Sequence, residues 1–152
     1  MGLRYFNVFG PRQDPNGSYA AVIPKWVSAM ISGKKVFING DGKTSRDFCY
    51  IDNVVQANIL AATTNNSKAL NKVFNVAIGQ STTLNELFKE IQEQLSIRVP
   101  RFLETKAIYQ DFRPGDVLHS LADISRSKVF LRYEPTHHLK DGLKETLNWY
   151  IN

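Results

Sequence analysis

Three places in the chain set polar side chains where they could act on a ligand. Asn7 lies toward the end of a strand-like run, Arg4-Tyr5-Phe6-Asn7-Val8-Phe9. An amide there offers both a donor and an acceptor and is costly to bury unpaired, so it bonds either to its own loop or to a ligand. The second place is Gly40-Asp41-Gly42, followed by Lys43-Thr44-Ser45-Arg46. The glycines resemble a phosphate cradle, but no P-loop or G-x-G-x-x-G spacing follows and a strand comes next, so the segment is expected to be a plain turn. Arg46 at its exit carries a planar guanidinium suited to bidentate phosphate recognition. Its plainer role is an ion pair with Asp41 or Asp47. The third place is Arg113-Pro114-Gly115-Asp116, a stiff turn with a cation and a carboxylate three residues apart. One could bind a phosphate and the other accept from a ribose hydroxyl.

Other reactive side chains lack companions. His119, His137 and His138 have no Cys or carboxylate at ligand spacing, so no metal site is expected. Cys49 lies in the strand pattern Phe48-Cys49-Tyr50-Ile51 with no His beside it, which fits a small buried hydrophobe rather than a nucleophile. No catalytic residue is assigned to this chain.

Composition narrows the partners. In 152 residues, 43% are hydrophobic and 22% charged, enough apolar surface for one domain with a core. The 19 Lys and Arg give a net charge of +5 but are scattered, so a small polyanion is expected rather than a nucleic acid. A single cysteine excludes an internal disulfide and fits a reducing cytoplasm. No apolar run reaches the ~20 residues of a membrane span, and no signal-peptide core opens the chain.

The elements that must hold these residues follow from periodicity. Residues 3 to 8 read as a strand, Asp14-Pro15-Asn16-Gly17 as a turn, and Ala20 to Ser32 as an amphipathic helix with Pro24 in its first turn and Gly33 as its stop. Lys35 to Ile38 and Asp47 to Ile51 read as strands, with Asp52 as N-cap of a helix through Ala62. Lys72 to Ala77 is β-rich. Thr83-Leu84-Asn85-Glu86 is a capping box that opens a helix with Leu84, Leu87, Phe88, Ile91 and Leu95 on one face. Past Pro100 come a strand near Phe102, the Arg113 turn, a short helix after Asp123 and a terminal helix carrying Leu139, Leu143, Leu147 and Ile151. Strands alternating with helices predict an α/β domain.

Four ordered blocks then resemble one family: RYFNVFGPRQDPNGSYAAVIPKW at 4–26, VFINGDGKTSRDFCYIDNV at 36–54, KVFNVAIGQSTTLNEL at 72–87 and RPGDV at 113–117. They are similar to the extended short-chain dehydrogenase/reductases that act on nucleotide sugars, and within them to UDP-N-acetylglucosamine 4-epimerases. The resemblance implies the C-terminal portion of such an enzyme, a partial Rossmann sheet with a small α/β substrate domain, as a single partial domain over residues 1–152. It also implies roles. Asn7 would meet the diphosphate or sugar, Ala21 and Val22 would offer a helix N-terminus to the phosphates, and Phe37 and Asn39 would flank the uracil. Arg46 and Arg113 would clamp the diphosphate and Asp116 would hold the ribose.

In the family, NAD oxidises the sugar at C4 while a Tyr-x-x-x-Lys pair handles the proton. This chain has no G-x-x-G-x-x-G and no Tyr four residues before a Lys. NAD is therefore expected in a longer parent and not on this chain, which by itself should not epimerise. Alternative readings are part of a nucleotide-sugar 4,6-dehydratase or decarboxylase, or a non-catalytic nucleotide-sugar-binding module; the expected partner is a UDP-sugar. Strand edges and apolar faces that a larger sheet would cover predict self-association.

Overall fold

Asn7 divides the first expected strand in two. In the computed structural model, which describes residues 1–17 and 21–151, the elements are β1 (Gly2–Tyr5), β2 (Val8–Phe9), α1 (Val22–Ile31), β3 (Val36–Asn39), β4 (Ser45–Arg46), β5 (Cys49–Tyr50) and α2 (Ile51–Thr63). Then follow β6 (Val73–Val76), β7 (Thr82–Thr83), α3 (Leu84–Ser96), β8 (Ala107–Gln110), α4 (Ser125–Leu131) and α5 (Leu139–Ile151). Asn7 sits at φ +35°, a turn that asparagine tolerates better than most residues, and it sends the two half-strands to different partners. β1 runs parallel to β6 with Leu3 opposite Phe74, and β2 runs parallel to β5 with Val8 opposite Cys49. β3 and β8 form a third parallel pair, Phe37 opposite Ile108, and β4 and β7 an antiparallel one. Parallel pairs need crossover connections, which is what the intervening helices supply. The architecture is α/β, as the alternation of elements predicts.

Helices form where the apolar period is strongest. α1 buries Ile23, Trp26, Val27 and Met30, and Gly33 at φ +63° ends it by donating to the Met30 carbonyl. Ala20, the expected start of that helix, lies outside the described residues. The capping box of α3 is closed in both directions: Glu86 N–H donates to Thr83 Oγ1 at 3.2 Å, and Thr83 N–H to Glu86 Oε2 at 2.7 Å. Burial of Leu87, Ile91 and Leu95 follows. In α5, Gly142 lets the helix rest directly on Phe9 and Tyr50, since a Cβ there would come within 2.8 Å of both side chains. Among the described residues, no helix is long and apolar enough to cross a membrane.

Two expectations need correction. Asp52 is not an N-cap. α2 starts two residues earlier than that cap implies, at Ile51, capped by extended Tyr50 without a side-chain bond, and Asp52 sits in the first turn, where its charge favours the helix dipole. The strand expected over Asp47–Ile51 shrinks accordingly to Cys49–Tyr50. Phe102 is in a 3₁₀ turn, Pro100–Glu104, and the strand comes only at Ala107. Pro100 fixes a turn-like φ, and Gln92 Nε2 holds the segment by donating to the carbonyls of Phe102, Leu103 and Thr105.

Two apolar clusters meet at the β2–β5 pair. One gathers α1, β3, α3 and α5 around Trp26, Ile38, Leu87 and Leu143. The other joins β6, α2 and α4 around Val54, Phe74, Val76 and Tyr133. Successive strand residues point to opposite faces, so Tyr50 enters the first cluster and Cys49 the second. Between β4 and β5 the fully buried Asp47 carboxylate accepts N–H bonds from Ile78 (3.1 Å), Gly79 (3.0 Å) and Ala122 (3.3 Å). Desolvation raises its pKa above the ordinary value, and those bonds oppose the rise.

Asp47→Ala strands donors that each cost about 1–3 kcal/mol when buried and unmet. Urea unfolding should show a loss of at least about 2 kcal/mol; an unchanged midpoint would remove Asp47 as the organiser of these segments. A second expectation concerns α2, where Ile51, Val55 and Ile59 form an exposed stripe, while among the described residues β1 pairs on one side only and its Tyr5 is exposed. Light scattering of the purified chain is expected to read a mass above that of one copy, and Val55→Glu to lower it.

Candidate functional site

A cavity of about 330 Å³ opens beside α1, β3 and β4. Its apolar wall is Phe9, Ile23, Trp26, Phe48 and Leu84. All eight residues singled out from the sequence line it: Asn7, Ala21, Val22, Phe37, Asn39, Arg46, Arg113 and Asp116. They arrive from segments far apart in the chain.

Asn7 Nδ2 donates to the Asp47 carbonyl at 3.1 Å, so its amide is tied to the β4–β5 link rather than to its own loop. The side chain remains exposed, and its Oδ1 has no partner among the described residues. Ala21, extended at φ −67° and ψ 162°, is the N-cap of α1 and has no side chain to cap it. The N–H groups of Val22 and Ile23 therefore stand at the positive end of the helix, while Pro24 has none. On β3 the alternation buries Val36 and Ile38 and leaves Phe37 44% exposed on the cavity side. Trp26 Nε1 donates to the Phe37 carbonyl at 3.0 Å and fixes that strand against α1.

The glycine-rich turn is indeed a turn, with its own logic. Gly40 and Gly42 both adopt φ +75°; a Cβ on the first would overlap the Phe112 ring, and one on the second the Asn85 side chain. The glycines are seats for those two side chains. Phe112, resting on Gly40, places the neighbouring Arg113 at the cavity.

Arg46 does not pair with Asp41 or Asp47. Asp41 pairs with Lys43, and Asp47 is buried among backbone donors. The partner of Arg46 is Asp116: Nη2 and Oδ1 are 2.8 Å apart, with the side chains 16% and 41% exposed. Arg46 Nη1 also donates to the carbonyls of Ser45 (2.9 Å) and Leu118 (3.3 Å). Arg113 forms no ion pair or hydrogen bond through its side chain among the described residues; its carbonyl accepts from Asp116 N–H at 3.2 Å, with Gly115 at φ +77° between them.

Sequence reasoning missed Lys25, which lines the same cavity. A signal was present, since Lys25 lies one helical turn after Ala21 and so shares its face. Lys25, Arg46 and Arg113 oppose one carboxylate, Asp116, which makes the rim suited to a compact anion. Cys49 is far from reactive, because burial pushes its thiol up to about 11. Among the described residues no three His, Cys, Asp or Glu gather as metal ligands; His119 Nδ1 instead meets Ser45 Oγ at 2.9 Å.

Two solved structures and one further relative are similar to this chain over nearly its whole length. The solved UDP-N-acetylglucosamine 4-epimerase of Methanobrevibacter ruminantium M1, in complex with UDP-N-acetylmuramic acid, is 46% identical with a TM-score of 0.83, over 98% of this chain and 45% of that one. The UDP-glucose 4-epimerase of Thermotoga maritima, with UDP-glucose, is 40% identical with a TM-score of 0.87, again over 98% of this chain and 45% of the other. The UDP-glucuronate 4-epimerase of Thermodesulfobacterium geofontis is 34% identical over 97% of this chain and 42% of its own length. The chain thus spans somewhat less than half the length of the relatives it matches. The sequence model of the NAD dependent epimerase/dehydratase family matches residues 1–77, and the chain belongs to that family.

Proposed function

We propose that this chain is the nucleotide-sugar-binding part of an NAD-dependent UDP-N-acetylhexosamine 4-epimerase, which interconverts UDP-GlcNAc and UDP-GalNAc by oxidation at C4, rotation and re-reduction. The observation that carries the reading is the convergence of Asn7, the α1 N-terminus, Phe37, Asn39, Arg46, Arg113 and Asp116 on one cavity. Each group has a task. The N–H groups of Val22 and Ile23 at the start of α1 and the cations Arg46 and Arg113 suit a diphosphate. Phe37 gives a flat apolar face to a uracil ring, with the Asn39 amide beside it, and Asn7 Oδ1 is an acceptor toward the sugar. Support for an N-acetylhexosamine comes from the 46% identity to a UDP-N-acetylglucosamine 4-epimerase.

NAD would supply the hydride acceptor and donor in this reaction. The residues of this chain do not fit it: there is no Gly-rich dinucleotide loop and no Tyr-x-x-x-Lys. What the chain itself does is bind and orient the nucleotide sugar.

Calorimetry with UDP-GlcNAc, UDP and free GlcNAc tests the proposal. The purified chain is expected to bind the first two and not the third, and Arg113→Ala should weaken binding roughly tenfold, the loss of one charge-assisted contact at a partly exposed site. Incubated with UDP-GlcNAc and NAD, the chain alone is expected to yield no UDP-GalNAc. Absence of UDP binding, or equal affinity for free GlcNAc, would falsify the assignment.

A further inference from the structure

One cation in the cavity is already neutralised from within. Asp116 Oδ1 lies 2.8 Å from Arg46 Nη2, while both carbonyl contacts of Nη1, to Ser45 and Leu118, hold the guanidinium in place. We infer that Asp116 is a resident counter-ion that an incoming diphosphate displaces from Arg46, and that this exchange makes the site prefer nucleoside diphosphates to bare phosphate anions. The inference rests on reading the cavity as a nucleotide-sugar site.

An anion approaching Arg46 Nη2 meets a carboxylate already bound there, and two anions on one edge of a guanidinium repel each other. Arg46 cannot swing away to a second position without giving up two carbonyl bonds. Asp116 can move more easily. It lies 41% exposed in a stretch, 111–119, whose residues are all exposed, on a turn with Gly115 at φ +77°. The carboxylate is therefore the group that yields.

What happens to it afterwards separates the ligands. Inorganic pyrophosphate would free Asp116 and offer it nothing, so the lost ion pair counts in full against binding. A nucleoside diphosphate displaces it equally but brings the ribose hydroxyls, which are donors for a carboxylate acceptor. Discrimination then comes from a repulsive element that only the intended ligand compensates. Arg113, three residues earlier on the same turn and without an ion pair among the described residues, lines the same cavity and offers the incoming diphosphate a second cation.

The test measures the affinities of UDP and inorganic pyrophosphate for the full chain, for Asp116→Ala and for Asp116→Asn, with thermal melts to check folding. Removing the counter-ion should tighten pyrophosphate roughly three- to tenfold, the range for a partly exposed ion pair, and should leave UDP unchanged or weaker. The UDP-to-pyrophosphate preference then shrinks in both variants. Asp116→Asn keeps the side-chain shape and carries the test if the alanine variant does not fold. Pyrophosphate affinity that stays level or falls in a folded variant overturns the exchange, even with UDP still bound by the parent chain. A parent chain that binds no UDP overturns the functional reading itself.

Discussion

The Asp47 carboxylate is the interaction on which the rest of the site depends. β4 and β5 are two residues each, too short for ladder hydrogen bonds alone to fix their register. Asp47, between them, replaces the missing ladder by accepting from Ile78, Gly79 and Ala122, so that the segment after β6 and the segment before α4 are both held to one buried side chain. Its own carbonyl accepts from Asn7. Strand alternation then places the neighbouring Arg46 on the opposite side, toward the cavity. One buried acid therefore sets the positions of two candidate ligand groups without touching the ligand volume.

The cavity owes its shape to a division of labour between its wall and its rim. Phe9, Ile23, Trp26 and Phe48 belong to the first apolar cluster and are nearly fully buried, so they form a wall that close packing keeps rigid. The rim is polar and comes from short strands and turns, each pinned by a specific contact: Phe112 on Gly40, Asn85 on Gly42, Arg46 on the Ser45 and Leu118 carbonyls. Substitutions in the wall act through packing, whereas substitutions on the rim act on specific polar contacts, as at Arg46.

Legibility in the sequence followed the range of the forces involved. Local, periodic signals carried through: the α1 face, the Thr83–Glu86 box and the terminal helix are where the spacing puts them. Boundaries set by tertiary contacts did not. Nothing near Asn7 announces that the flanking half-strands choose different neighbours, because that choice depends on β5 and β6, more than forty residues away. The Arg46–Asp116 pair spans seventy positions, and local inspection could offer only the nearer acids, Asp41 and Asp47. Asp47 itself left one clue, a lone acid abutting the apolar run Phe48-Cys49-Tyr50-Ile51, which burial turns into an anchor.

The two apolar clusters differ in how self-sufficient they are, and the difference bears on function. The first wraps α1, β3, α3 and α5 around a common interior and holds nearly the whole cavity wall. The second leans on the β1–β6 pair, and parallel strands are ordinarily covered on both faces, yet here Tyr5, Ile51, Val55 and Ile59 remain exposed beside it. Ligand-binding geometry thus resides in the cluster that closes on itself. The open cluster connects to it through Asn7 and the β2–β5 pair, where Phe9 and Tyr50 face one interior and Cys49 the other. What packs against the open cluster can reach the cavity through that joint and through the Asp47 contacts to Ile78, Gly79 and Ala122, and Asn7, strained at φ +35° and bonded to the Asp47 carbonyl, stands where the two routes meet.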